Sequence, residues 1–417
     1  MLFLKIKKEN SLKQKKKKMK PKFYRKVLRN GMTVILEKRD NPVVSVAFAV
    51  RCGGINESVS EKGISHFIEH LLYKGTPKRN SKKISEEIEK NGGILNGFTD
   101  ETVTAYWCKI PSKHLITALD VLSDMVKNPL FDEKEIEKER KVIFEEIKMY
   151  TDNPSSYVFH EIQKSLYKKP FGLPLIGTEK TLNSLTREKI IKRFEQVYQP
   201  NQMILCVVGN ANFDKIVKFA EGNFGNKKGK VPKFKVFEKS EFKIKKRKAI
   251  DQANLVFAYH VSRSKEKKSH AAHVLNTLMA EGMSSRLFSE IREKRNMAYA
   301  VKGGSSILKD FAYNIIYAGT KKENVLPIKE LILEEFEKVS KNLDEKELNS
   351  VKEQIIGNYQ ISIEDSQHQM VNLLMYEIDG NAKNAYDFEK KIRQVKIEDV
   401  KSLAKIKKYS FFALVPE

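Results

Sequence analysis

The chain has 417 residues, 41% of them hydrophobic and 31% charged, with 12 Pro and 20 Gly. That length is long for one domain and comfortable for two, and the composition excludes disorder, collagen and a bare coiled coil. Lys and Arg number 78 against 53 Asp and Glu, a net charge of +25, while three widely spaced cysteines (Cys52, Cys108, Cys206) exclude a disulfide framework or a Cys-rich zinc module.

Residues 1–18 read as a basic disordered tail, too short in apolar residues for a secretory signal and too Lys-rich for a transit peptide. Tyr24–Leu28 and Met32–Glu37 flank Asn30-Gly31, a type I′ hairpin signal. Val43–Cys52 reads as a strand and Ile64–Tyr73 as a helix. Ser81–Lys90 is a helix ended by Asn91-Gly92-Gly93. Ile94–Phe98 and Thr102–Ile110 are strands. Pro111–Asn128, Asp132–Tyr150, Pro154–Lys168 and Thr186–Tyr198 are helices. Met203–Val208 is a buried strand, followed by the helix Phe213–Phe224.

A basic linker, 229–244, separates two units, 19–228 and 245–417. Then the order restarts. Asn254–His260 is a strand, and His270–Met279 and Ser284–Arg295 are helices. Ala298–Ile307 and Phe311–Tyr317 are strands. Helices follow at Val325–Ser340, Asp344–Ile361, Gln367–Ile378 and Ile397–Ala404, and Tyr409–Leu414 closes the chain as a strand. Strand pairs followed by helical runs, twice over, imply an α+β fold of two structurally duplicated domains, each a mostly antiparallel sheet packed on helices.

The charge is local. Residues 1–30 carry a net +12 and residues 226–250 a net +9, so the rest is nearly balanced. A solvated tail and linker explain this better than a groove for nucleic acid, and no specific nucleic acid is expected. No stretch approaches the ~20 apolar residues of a membrane span. Wide-set cysteines read as reduced, buried thiols, and with no targeting segment a cytoplasmic location is expected.

The segment that carries chemistry is His66-x-x-Glu69-His70. Histidines at i and i+4 stand one helical turn apart, so both imidazoles reach one ion. Zn²⁺ suits two imidazoles, a third protein ligand and an open position for water. Glu69 reaches that open side without being a ligand and would act as general base. The third ligand is sought on the helix Asp132–Tyr150. There Glu139 and Glu146, seven residues apart, share a face, one to ligate and the other to buttress. His160, His260, His270 and His273 lack a Glu in the required order and read as structural.

Further motifs extend the pattern: Gly31-Met32-Thr33-Val34, Gly63 to Thr76, Asn96-Gly97-Phe98-Thr99, Glu139 to Ile147, Leu175-Ile176-Gly177-Thr178, Gly282 to Leu287, and Arg292-Glu293-Lys294-Arg295 with Ala298-Tyr299. In these residues the chain resembles the pitrilysin family of zinc metallopeptidases, in its two-domain, processing-peptidase-like form. The resemblance implies one Zn²⁺ per chain, held by His66, His70 and Glu146, with Glu139 in support. It implies that Asn96, Gly97, Phe98 and Thr99 meet the peptide substrate, with Gly97 standing where relatives have Ala. The following strand, Thr102–Tyr106, is the expected docking edge for that peptide. Arg292 and Tyr299 would hold the peptide and polarise its carbonyl from the catalytically silent half. A homodimer in which this pair acts in trans is expected, enclosing unfolded peptides in a chamber. The alternative is a non-catalytic scaffold subunit of a related complex.

Overall fold

The computed structural model describes residues 22–417, so the proposed tail, residues 1–18, lies outside the described residues. The strands are β1 (Lys22–Val27), β2 (Thr33–Lys38), β3 (Val43–Val50), β4 (Ile94–Thr99), β5 (Thr104–Pro111), β6 (Met203–Gly209), β7 (Phe242–Arg247), β8 (Ala253–His260), β9 (Ala298–Ile307), β10 (Ala312–Thr320) and β11 (Ser410–Pro416). The helices of the first half are α1 (Ile64–Leu71), α2 (Ser81–Glu89), α3 (Leu115–Lys127), α4 (Glu133–Asp152), α5 (Pro154–Leu166), α6 (Glu179–Asn183), α7 (Arg187–Val197) and α8 (Phe213–Asn223). Those of the second are α9 (Ser269–Ala280), α10 (Val325–Asn342), α11 (Glu345–Glu364), α12 (Ser366–Asp379), α13 (Phe388–Arg393) and α14 (Ile397–Leu403).

Two mixed sheets form, ordered β1-β2-β6-β3-β5-β4 and β7-β11-β8-β10-β9. Without the extra strand β1, each follows one plan. The last strand inserts between the first two and runs parallel to the first, and all other pairs are antiparallel. This shared connectivity is the structural duplication, and it makes the fold α+β.

Three expectations change. The hairpin turn is not type I′, because only Gly31 has positive φ (+89°). Asn30 instead turns its side chain inward, accepting from the Met32 amide (3.1 Å) and donating to the Phe224 and Gly225 carbonyls. Phe242–Arg247, within and just after the basic stretch, forms edge strand β7, satisfying its backbone on β11. Around Phe288–Glu293 the expected helix winds as a π-helix.

Each sheet is covered on both faces, by its own helices and by one helix from the other half. In β3, Val46 and Phe48 join the first half's core with Ile64, Phe67 and Leu122. The alternate residues Ala47 and Ala49, with Ala105 and Cys206, meet Met370, Leu373 and Leu374 of α12. Reciprocally, Val158, Ile162 and Leu166 of α5 pack on Val256, Ala258, Phe412 and Leu414 of β8 and β11. Small side chains on the first sheet let α12 approach closely. The apolar area removed from water, worth about 25 cal/mol per Å², ties the halves together. Cys52, Cys108 and Cys206 are all free and buried. Among the described residues no helix is long and apolar enough to cross a membrane.

Candidate metal centre

Helix α1 starts at Gly63, whose φ of +96° is left-handed. A Cβ there would lie 2.6 Å from the Ile176 carbonyl oxygen, so glycine is required for the approach of that loop. The Gly63 and Ser65 amides donate to the wholly buried carboxylate of Glu57 (3.0 and 2.8 Å). This satisfies donors that the first turn leaves unpaired. Burial pushes the Glu57 carboxyl up from its ordinary value, and the neighbouring Lys62 opposes that. The Lys62 ammonium is itself wholly buried, 3.7 Å from Glu57 and 3.9 Å from Glu101. It donates to the Gly54 carbonyl at 2.8 Å.

With the start of α1 fixed, His66 and His70 stack one turn apart, ring centroids 4.6 Å from each other. Glu146 approaches from α4, its Oε2 lying 3.7 Å from both His66 Nε2 and His70 Nε2. One atom from each of these residues lies within 4.8 Å of the others. The separation exceeds a hydrogen bond. It is near the ~3.3 Å between two ligands bound tetrahedrally at ~2.0–2.1 Å, so the donor set fits Zn²⁺. His70 Nδ1 is 3.2 Å from Glu139 Oε2, which leaves Nε2 facing Glu146. Glu139 also pairs with Lys74 at 2.6 Å.

The electrostatics suit a cation. Burial, and then His70, push the His66 imidazole down to about 3, so it is neutral with a lone pair to give. Burial raises Glu146, partly offset by His70 and Tyr150. Burial also raises Glu139, but hydrogen bonds with His70 and Lys74 hold it below its ordinary value. Burial raises Glu69 too, against a hydrogen bond from Thr99.

Glu69 Oε2 accepts that bond from Thr99 Oγ1 at 2.6 Å. Gly97, two residues back on the same face of β4, lies against Glu69 and Tyr73. Asn96 and Phe98 fall on the other face. Phe98 packs among residues that meet α12, and Asn96 is exposed, its Oδ1 taking the Gly97 amide at 2.8 Å. The docking edge is therefore not Thr102–Tyr106. β5 is paired on both sides, by β3 and β4, and the free edge belongs to β4.

Arg292 and Tyr299 belong to the second half of the chain. The Arg292 guanidinium sits over the Phe288 ring at 4.9 Å, and Tyr299, 48% exposed, lies on edge strand β9 against Gly319. Among the described residues, no hydrogen bond, ion pair or ring contact joins either to His66, His70, Glu69 or Glu146. Sequence reasoning missed Glu57, Lys62 and Tyr73. Lys62 and Tyr73 flank the motif in sequence but carry no spacing that marks a role, and Glu57 is brought against the start of α1 only by folding.

Residues 33–179 match the family described as insulinase (peptidase family M16), and residues 184–355 match the peptidase M16 inactive domain. A Bacillus subtilis protein named an uncharacterized zinc protease is 34% identical over 90% of this chain and 93% of its own length. A Rickettsia felis protein of the same description is 33% identical over 82% of this chain and 84% of its own. The crystal structure of a protease from Helicobacter pylori superposes with a TM-score of 0.87, at 23% identity, over 95% of this chain and all of that one. The chain belongs to the insulinase family of peptidases, family M16. Within it, the relatives matched over nearly their whole length carry the name zinc protease.

Proposed function

We propose that this protein is a zinc-dependent endopeptidase acting on peptides or unfolded segments. The observation that carries the reading is the convergence of His66, His70 and Glu146 to within 4.8 Å, with Glu69 one residue from His70. When bound, zinc supplies Lewis acidity that activates water and polarises the scissile carbonyl. Glu69, steadied by Thr99, takes the proton of the attacking water and returns it to the leaving amine. The open edge of β4 receives the peptide as an added strand, with Asn96 through Thr99 beside it.

The developing oxyanion calls for a hydrogen-bond donor. We assign that role to Tyr299 of a second copy, with Arg292 binding peptide carbonyls. This makes a homodimer the working unit, its two copies enclosing a chamber. A scaffold role is less well supported, because the residues we assign to metal binding converge and Glu69 stands beside them.

Metal analysis and cleavage of an unstructured peptide library test the reading. Wild type should hold about one zinc per chain and lose cleavage with chelator. Glu69→Gln should keep the zinc and lose at least ~100-fold in kcat. Chelator-resistant cleavage, or full turnover by Glu69→Gln, would contradict it.

A further inference from the structure

Gly97 has no side chain, and the structure shows what occupies the space beside it. A Cβ on Gly97 would lie 2.6 Å from Tyr73 Oη and 3.2 Å from Glu69 Oε1. The Tyr73 hydroxyl therefore occupies the volume an alanine methyl would need. The same Cβ would also lie 3.0 Å from the Ala105 carbonyl oxygen of the neighbouring strand β5. Tyr73 Oη is buried and has no hydrogen-bond partner among the described residues. Its ring is fixed from behind by the core, 6.0 Å from that of Tyr106. Glu69 Oε2 is already engaged by Thr99, so Oε1 is the carboxylate oxygen left on the Tyr73 side.

A buried hydroxyl left unpaired is unfavourable, and the charged acceptor beside it is the best partner in reach. We infer that Tyr73 is a positioning residue for Glu69, donating to its Oε1 during the reaction, and that Gly97 is present to admit that hydroxyl. Thr99 and Tyr73 then hold the two carboxylate oxygens from opposite sides. This fixes the plane of the carboxylate and its aim at the water. The inference rests on Glu69 as the base in the proposed peptidase.

The test is a double-mutant cycle on the full-length protein, using Tyr73→Phe, Gly97→Ala and both together. Tyr73→Phe should lower kcat by roughly tenfold with KM little changed, because it removes orientation and not substrate contacts. Gly97→Ala should be worse, since its methyl meets the hydroxyl. In the Tyr73→Phe background the clash with the hydroxyl is gone and only the 3.0 Å approach to the Ala105 carbonyl oxygen and the 3.2 Å approach to Glu69 remain, so the same methyl should lower kcat by clearly less than it does with Tyr73. The melting temperature of the metal-free proteins gives a readout independent of turnover. Gly97→Ala should lower it by roughly 3 °C or more with Tyr73 and by clearly less with Phe. Wild-type kcat in Tyr73→Phe would overturn the inference while leaving the peptidase reading intact. Equal effects of Gly97→Ala in both backgrounds would also overturn it. Absence of chelator-sensitive cleavage in wild type would remove both.

Discussion

At the scale of single residues, the helix carrying the two histidines is held by groups outside the proposed ligand set. Glu57 is wholly buried and closes the start of α1 through the Gly63 and Ser65 amides. Its charge is tolerated because Lys62 lies beside it, and Lys62 in turn faces Glu101, which takes a bond from Gln163 of α5 (2.7 Å). Removing Glu57 leaves the buried Lys62 ammonium with Glu101 alone, 3.9 Å away, and the Gly63 and Ser65 amides without their acceptor. Glu57→Ala should therefore cost roughly 3–5 kcal/mol in urea unfolding, and adding Lys62→Met should recover much of it. Equal stability of Glu57→Ala and wild type would show that the pair is dispensable. In the sequence, His66, Glu69 and His70 stood out because metal chemistry demands that spacing. Glu57 did not, because nothing about Asn56-Glu57-Ser58 marks it until the chain folds back over α1.

At the scale of elements, the exchanged helices make one body of two halves. Glu377 on α12 accepts a two-pronged bond from Arg25 of β1 (2.8 Å each) and another from Arg51 (2.9 Å). Burial alone would raise its carboxyl, but Arg25, the Ala382 amide and Arg51 together hold it below its ordinary value. A depressed carboxyl contributes stability fully present above its unfolded value, ~4.3, and lost as pH falls through the folded one. Glu377→Gln should cost about 2–4 kcal/mol at neutral pH and flatten the acid limb of the stability profile below pH ~4.3. An unchanged acid limb in thermal melts would contradict the assignment. Most elements were legible, because periodicity and caps are local. Strand β7 was not, since Phe242–Arg247 reads as a run of lysines and pairs only with the end of the chain. Nor was the free edge. Both β4 and β5 look like strands in sequence, and only the position of β3 decides which of them is open.

At the scale of the whole molecule, the excess positive charge is concentrated in residues 1–30 and 226–250, outside the candidate metal centre. Within the described residues it includes β7, the edge strand of the second sheet, and a preceding segment whose Gly229 and Pro232 bond to Asn201 and Asn56 of the first half. The proposed metal ligands come from the first half and the Arg292/Tyr299 pair from the second, and among the described residues no hydrogen bond, ion pair or ring contact joins them within one chain. A second copy can supply what the first lacks, and twofold symmetry would complete both sites at once. The most direct measurement mixes two inactive variants, Glu69→Gln and Arg292→Ala/Tyr299→Phe, and follows peptide cleavage. In a mixed dimer the intact Glu69 of one chain meets the intact Arg292 and Tyr299 of the other. Random pairing should then restore up to about a quarter of wild-type activity. A mixture as inactive as its two components, while wild type cleaves and the chains exchange, would contradict a site shared between copies.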